Sequence, residues 1–215
     1  MSQHHLHPLT LDHLQAAMTL PTFDYIESHL RMAPNPRGGL PENRDKPPKE
    51  AGVLALCYME VDGLHIILTR RTDQLRGHSG QISFPGGRCD PEDDGYAGTA
   101  LRETEEELGI LRDDITLLGS LSKVYIPPSH YNVYPQVGYL DTTPFFRPNP
   151  HEVAEVFTLR LDDLLDDSLK AHEYRDFRGI RVKIPYYQVK THKVWGATAV
   201  MLSEIEHRLR QTLSA

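Results

Sequence analysis

From Gly52 onward the sequence carries two short apolar runs, "GVLALCYMEV" and "LHIILTRR", joined at Asp62 and Gly63. Runs of that length around an Asp-Gly signal read as a β-hairpin, because glycine supplies the backbone freedom that a tight connection demands. A sheet therefore begins here. "ITLLGSLSKVYI" and "VYPQVGYL" read as further strands, "HEVAEVFTLRLDDLL" as a strand entering a short helix, and "IRVKIPYYQV" and "HKVWGA" as closing strands. "ATAVMLSEIEHRLRQTL" has the spacing of a terminal amphipathic helix. Mixed, mostly hairpin-connected strands with helices packed on them predict an α/β sandwich with a mixed, partly antiparallel sheet, not a doubly wound parallel one.

Ahead of the hairpin, "LTLDHLQAAMTL" and "TFDYIESHLRM" show helical apolar spacing on either side of Pro21, and "APNPRGGLPENRDKPPKEA" is polar and rich in proline. Residues 1–50 thus read as a helical segment with a Pro-rich linker, and 51–215 as the main domain. At 215 residues with 39% hydrophobic content the chain can bury one substantial core plus an appendage. A formal net charge of −7 argues against nucleic acid or a membrane surface as partner, and leaves open a phosphate-bearing small molecule. Cys57 and Cys89 form neither a Cys-x-x-Cys pair nor a zinc spacing. "MSQHHLHPLT" lacks a basic segment followed by an apolar run, and no later stretch reaches the roughly 18 apolar residues of a spanning helix. A soluble, cytoplasmic protein is the expectation. His4, His5 and His7 read as a disordered terminus or an adventitious metal ligand set.

The segment "LRETEEELG", residues 101–109, crowds four glutamates into five positions of a helix. Residues three and four apart share a helix face, so Glu103, Glu106 and Glu107 converge while Glu105 turns toward solvent. Ala100, Leu101, Thr104, Leu108 and Ile110 offer the surface that anchors the helix. The face is either a solvated acidic one or a cation site. For the second reading an all-carboxylate set suits Mg²⁺ or Mn²⁺ better than zinc. Just upstream, Gly86 and Gly87 form a plain turn or let a phosphate or metal approach the main chain. Arg102, four residues before Glu106, can steady its carboxylate, and Gly109 is a natural helix stop.

These residues resemble the signature of the Nudix hydrolases. The family form runs glycine, five residues, glutamate, seven residues, then Arg-Glu-apolar-x-Glu-Glu-x-Gly-apolar. "RETEEELGI" matches its second half, with Thr104 in the apolar place; counting back, the glutamate falls on Asp94 and the glycine on Arg88, one short of Gly87. The longer stretch "ILTRRTDQLRGHSGQISFPGGRCDPEDD" is similar to the extended motif of the coenzyme A diphosphatases of that family. It carries Leu68, Thr69 and Arg71, then Leu75, Arg76, His78, Gly80 and Gln81, then Phe84 to Gly87, Asp90 and Asp93 in the same order. With "YPQVGYL", "NPHEVAEVF" and "VWGATA" the likeness spans roughly Gly52 to Val200.

The resemblance implies a Nudix-type α/β/α sandwich and hydrolysis of the diphosphate of coenzyme A or its thioesters to 3′,5′-ADP and a 4′-phosphopantetheine compound. Glu103, Glu106 and Glu107 would hold Mg²⁺ or Mn²⁺, with Arg102 beside them. Glu152 matches the later glutamate that some members use as a base or further ligand; it is that group or a surface carboxylate, with Glu155 its competitor. Arg70, Arg71 and Arg76 either grip phosphates or are ordinary surface arginines. His78 and Gln81 either organise the loop or, with Gly86 and Gly87, touch substrate. Tyr125, His130 and Tyr131 line a substrate groove or pack a loop, and Trp195 reads as core. A small-molecule diphosphate is the partner to expect, with a homodimer left open. A Nudix enzyme of another nucleotide, such as ADP-ribose, NADH or a nucleoside triphosphate, and a noncatalytic nucleotide-binding module are the alternatives.

Overall fold

Strand β1 (Lys49–Glu60) runs through the middle of the main sheet in the computed structural model, which describes residues 8–36, 46–73, 80–177 and 179–214. Along one edge β1 pairs antiparallel with β2 (Gly63–Arg71) and β4 (Gly86–Arg88); along the other it pairs in parallel with β7 (Tyr131–Leu140). The β1–β2 turn is Val61-Asp62, one residue earlier than the sequence suggests. Gly63 opens β2 with φ +134°, and the His65 ring donates to Asp62 Oδ1 across 2.8 Å. The sheet order is β3 (Ile82–Ser83), β2, β1, β7, β5 (Thr116–Ser120), with β6 (Val124–Ile126) on β7 and β8 (Val153–Arg160) on β2. A second, antiparallel sheet consists of β9 (Lys170–Phe177), β10 (Ile180–Val189) and β11 (His192–Trp195).

Alternation along β1 divides the core. Leu54, Leu56 and Tyr58 meet Ile67, Leu140 and Val153 beneath helix α3 (Gly95–Leu108), whereas Ala51, Ala55 and Cys57 face the opposite side with Leu64, Ile66, Leu68, Val133 and Val137. A strand covered on both faces reads as a continuous apolar run, which is what "VLALCY" is. The second face is closed by α5 (Ala197–Leu213), whose Ala199, Leu202, Ile205 and Leu209 are fully buried. Helices α1 (Leu11–Met18) and α2 (Tyr25–Met32) pack on α5, and Leu9, Leu14, Ala17 and Met32 belong to the same core.

Helix α5 is enclosed more completely than an amphipathic pattern implies, because it buries two carboxylates with partners supplied by distant segments. Glu204 accepts from Arg208 at 2.9 Å and the Ser122 amide at 3.1 Å, and meets His29 at 2.8 Å. Glu206 accepts from Lys170 at 2.5 Å, Arg210 at 2.7 Å and the Tyr187 hydroxyl at 2.8 Å. Buried charges survive only when paired in this way. A short helix, α4 (Leu161–Leu164), follows β8, and among the described residues no helix is long and apolar enough to cross a membrane.

Candidate active site

Helix α3 is seated on β1 by side chains one turn apart: Ala100, Thr104 and Leu108 are completely buried. Thr104 fits this apolar position because its hydroxyl donates to the Ala100 carbonyl at 2.7 Å, leaving only its methyl group to pack. The helix comes so close that a Cβ on Gly52 of β1 would lie 2.3 Å from the Tyr96 carbonyl oxygen. Its end is set by Gly109 in the left-handed conformation, φ +69°, whose amide donates to Glu105 O at 2.8 Å.

On the open side of α3, Arg102 organises the acidic groups. Its Nε and Nη2 donate to the two oxygens of Asp93 at 2.8 and 3.0 Å, Nη1 donates to Glu103 Oε1 at 2.9 Å and to Glu106 Oε2 at 3.2 Å, and Nη2 reaches the Arg88 carbonyl at 3.2 Å. The forked contact is the geometry in which guanidinium and carboxylate bind most strongly. Arg102 holds the Asp93 carboxyl well below the usual range, and the Asp90 amide and Thr99 hydroxyl also donate to Asp93. Burial pushes Glu103 upward, with Arg102 opposing.

Glu107 sits deeper, its side chain 3% exposed. Burial pushes its carboxyl up to about 8, against the pull of Arg71 and with the repulsion of Glu152 and Glu103. Arg71 Nη1 stands 3.6 Å from Glu107 Oε1, while Glu107 Oε2 and Arg71 Nε are buried with no hydrogen-bond partner among the described residues. Glu152 arrives from the loop before β8, and carboxylate oxygens of Glu103, Glu107 and Glu152 lie within 4.8 Å of one another. Three carboxyl groups converging on an orphaned buried oxygen are costly by themselves; a hard divalent cation satisfies all of them, so these residues fit the metal that the sequence implies.

The other sequence-predicted residues are distributed around this centre. Glu106 stands at its rim, its side chain 54% exposed and bound to Arg102, and Glu105 turns outward to Arg112 at 2.9 Å. Strand alternation separates the two arginines of β2. Arg71 shares the α3 face with Ile67, whereas Arg70 shares the α5 face with Leu68 and lies 3.6 Å from both Glu155 and Asp73. Glu155, which also meets His192 at 3.2 Å, is therefore on the face away from the glutamates. Gly87 makes room for Glu103, since a Cβ there would fall 2.3 Å from Glu103 Cδ; Gly86, at φ +151°, abuts the backbone of Gly52 and Val53. The Gln81 carbonyl accepts from the Arg71 amide at 3.0 Å. Arg76, His78 and the early His4, His5 and His7 lie outside the described residues.

Farther away, Tyr125 is hydrogen-bonded to His130 at 2.8 Å, Lys49 lies over the Tyr131 ring, and Trp195 is half-buried under Arg175. Asp93, which fixes Arg102, is absent from the sequence-derived site set although the extended motif contains it. The one-residue offset from Asp94 is the signal that could have found it.

A comparison with protein families matches residues 48–179 to the NUDIX domain. The chain is 38% identical over 188 residues to "Mitochondrial coenzyme A diphosphatase NUDT8" of Homo sapiens, covering 85% of this chain and 78% of that one. It is 37% identical over 147 residues to "Uncharacterized Nudix hydrolase NudL" of Photorhabdus laumondii subsp. laumondii, covering 67% and 77% respectively. In fold it is similar to the crystal structure of MutT protein from Methanosarcina mazei Go1, with TM-score 0.52 at 16% identity over 80% of this chain and 100% of that one. The domain match takes in β1, the glutamate helix and Glu152 together, and on that ground the chain belongs to the Nudix hydrolase family.

Proposed function

We propose that the chain hydrolyses the diphosphate of coenzyme A or its derivatives in the presence of Mg²⁺ or Mn²⁺, releasing 3′,5′-ADP and a 4′-phosphopantetheine compound. The observation that carries the reading is the convergence of Glu103, Glu107 and Glu152 beside Arg71. The likeness to the human diphosphatase over most of the chain supports the choice of substrate. Glu103, Glu107 and Glu152 would hold the cation, which when bound neutralises phosphate charge and lowers the pKa of water. Glu106 adds a carboxylate at the exposed edge. Arg102 keeps Glu103 and Glu106 in register, so little reorganisation remains for the reaction itself.

Arg71 is the arginine for the diphosphate. It faces the cluster, its Nε has no partner among the described residues, and a guanidinium can grip two phosphate oxygens at once. Arg70, between Glu155 and Asp73 on the other face, has no such part. In the reaction the oxygen of water bonds to one phosphorus and gives up a proton to solvent, the bridging P–O bond breaks with its electron pair on the departing oxygen, and each half departs with its own phosphate.

Product chromatography with Mg²⁺ or Mn²⁺ tests this on coenzyme A, acetyl-coenzyme A, ADP-ribose, NADH and nucleoside triphosphates. Preferential release of 3′,5′-ADP and phosphopantetheine is expected. Cleavage confined to another compound overturns the substrate and leaves the Nudix chemistry intact.

A further inference from the structure

We propose that Thr72 and Asn149 are positioning residues that hold the Glu152 carboxylate against the Glu103–Glu107 face of α3. This rests on reading Glu152 as a cation ligand. Helix geometry fixes Glu103 relative to Glu107, but Glu152 lies 45 residues farther along the chain in a loop, and no periodicity relates it to either. Something else must set that distance.

The loop is fastened to the end of α3 through its main chain. The Arg147 amide donates to Leu108 O at 2.8 Å and the Asn149 amide to Glu107 O at 2.9 Å, satisfying two carbonyls that a helix end leaves open. The Asn149 carbonyl then accepts from the amides of Glu152 at 3.0 Å and Val153 at 2.8 Å. Its side chain accepts from the His151 amide at 3.1 Å and donates to Glu152 Oε1 at 3.4 Å. Asn149 therefore touches Glu107 through its backbone and Glu152 through its side chain, and works as a spacer between two ligands.

Thr72 fastens the other side. It follows Arg71 directly, its side chain is buried, its amide donates to Glu152 O at 2.9 Å and its hydroxyl to His151 O at 3.1 Å. The strand end that presents Arg71 to Glu107 thus also anchors the peptide that carries Glu152. Groups that orient metal ligands in this way typically alter metal affinity by about 10–100-fold when removed.

The test is Mn²⁺ binding to the whole chain, read by electron paramagnetic resonance of the free ion, with thermal unfolding measured beside it. Thr72→Val and Asn149→Ala should each weaken binding about ten-fold. Thr72→Ser, which keeps the hydroxyl and loses the methyl group, should bind like the unmodified protein; a packing role would give the reverse order for Val and Ser. Placed on top of Glu152→Gln, neither Thr72→Val nor Asn149→Ala should weaken binding further, because the group they position is already lost. Normal binding by both single variants, or the same loss on the Glu152→Gln background, overturns the proposal while leaving the ligand set standing. Unchanged binding by Glu152→Gln alone overturns the ligand reading, and the proposal with it.

Discussion

Replacing Gly87 by alanine should separate function from stability. The added methyl carbon would lie 2.3 Å from Cδ and Oε1 of Glu103 and 2.5 Å from Oε2, whereas ordinary contact begins at 3.4 Å. The Glu103 carboxylate must therefore retreat by about 1 Å, many times the roughly 0.2 Å tolerance of a metal–ligand distance. A misplacement of about 1 Å can cost on the order of 10²-fold in rate, equivalent to about 2.7 kcal/mol. Stability should change by less than about 1 kcal/mol, since the displaced group is the end of a flexible side chain. The adjacent Gly86→Ala makes the control. There φ is +151°, and the new carbon would sit 2.5 Å from Gly52 O and 2.6 Å from Val53 Cα, both backbone atoms that cannot swing aside. That variant should lose several kcal/mol of stability, of order 2–4, through strain and an opened β1–β4 pair. The assay is initial rate against Mg²⁺ concentration, with urea unfolding of each variant. If Gly87→Ala turns over at the normal rate with normal metal dependence, or unfolds as readily as Gly86→Ala, the close approach of Gly87 to Glu103 does not have the meaning given to it.

Three further outcomes are expected. Glu107→Gln should remove most turnover, lowering kcat and kcat/KM together while urea unfolding shows an intact fold; normal activity with normal metal dependence would dismiss Glu107 from the centre. Glu152→Gln should weaken Mn²⁺ binding at least about ten-fold whereas Glu155→Gln changes it by less than about three-fold, in keeping with typical costs at metal sites, and equal losses would contradict the division of the two faces. Asp93→Asn should destabilise the protein at neutral pH by about 1.5–3 kcal/mol, the worth of a charged hydrogen bond. Because the folded carboxyl of Asp93 is depressed, its contribution is complete above the unfolded value of about 3.9 and fades as pH falls below it. The stability gap to Asp93→Asn should accordingly narrow on going from neutral pH to acid, and a constant gap in urea titrations would be inconsistent with the Arg102 pairing.

Elements with strong apolar spacing are legible in the sequence: the glutamate helix, the β8–α4 junction and α5 fall where the pattern puts them, and the β1–β2 pair does so with its turn one residue earlier. Strand β9, "KAHEYRDF", was not, because it lies at a sheet edge with both faces largely wet and carries no alternation to read. Within the site, three- and four-residue spacing groups Glu103, Glu106 and Glu107, yet at about 100° per residue Glu107 lies some 40° from Glu103 while Glu106 lies about 60° away on the other side. That difference leaves Glu107 buried and Glu106 on the rim. Glu152 completes the cluster only through tertiary packing, which spacing within one helix does not encode. Arg70 and Arg71 could have been told apart, since period-two alternation sends neighbours on a strand to opposite faces.

The two halves of the core also differ in when they can exist. Among the described residues, the apolar side chains buried under α3 lie between Leu54 and Val153, whereas the opposite face needs Leu9 and Leu209 at once. During synthesis the layer that carries the glutamates has its buried residues before α5 is made, while the far side of the same sheet stays incomplete until α5 emerges. Contacts of such long sequence separation form slowly and leave apolar surface open to association meanwhile. The surface that waits longest for its cover is therefore on the side of the sheet away from the glutamates.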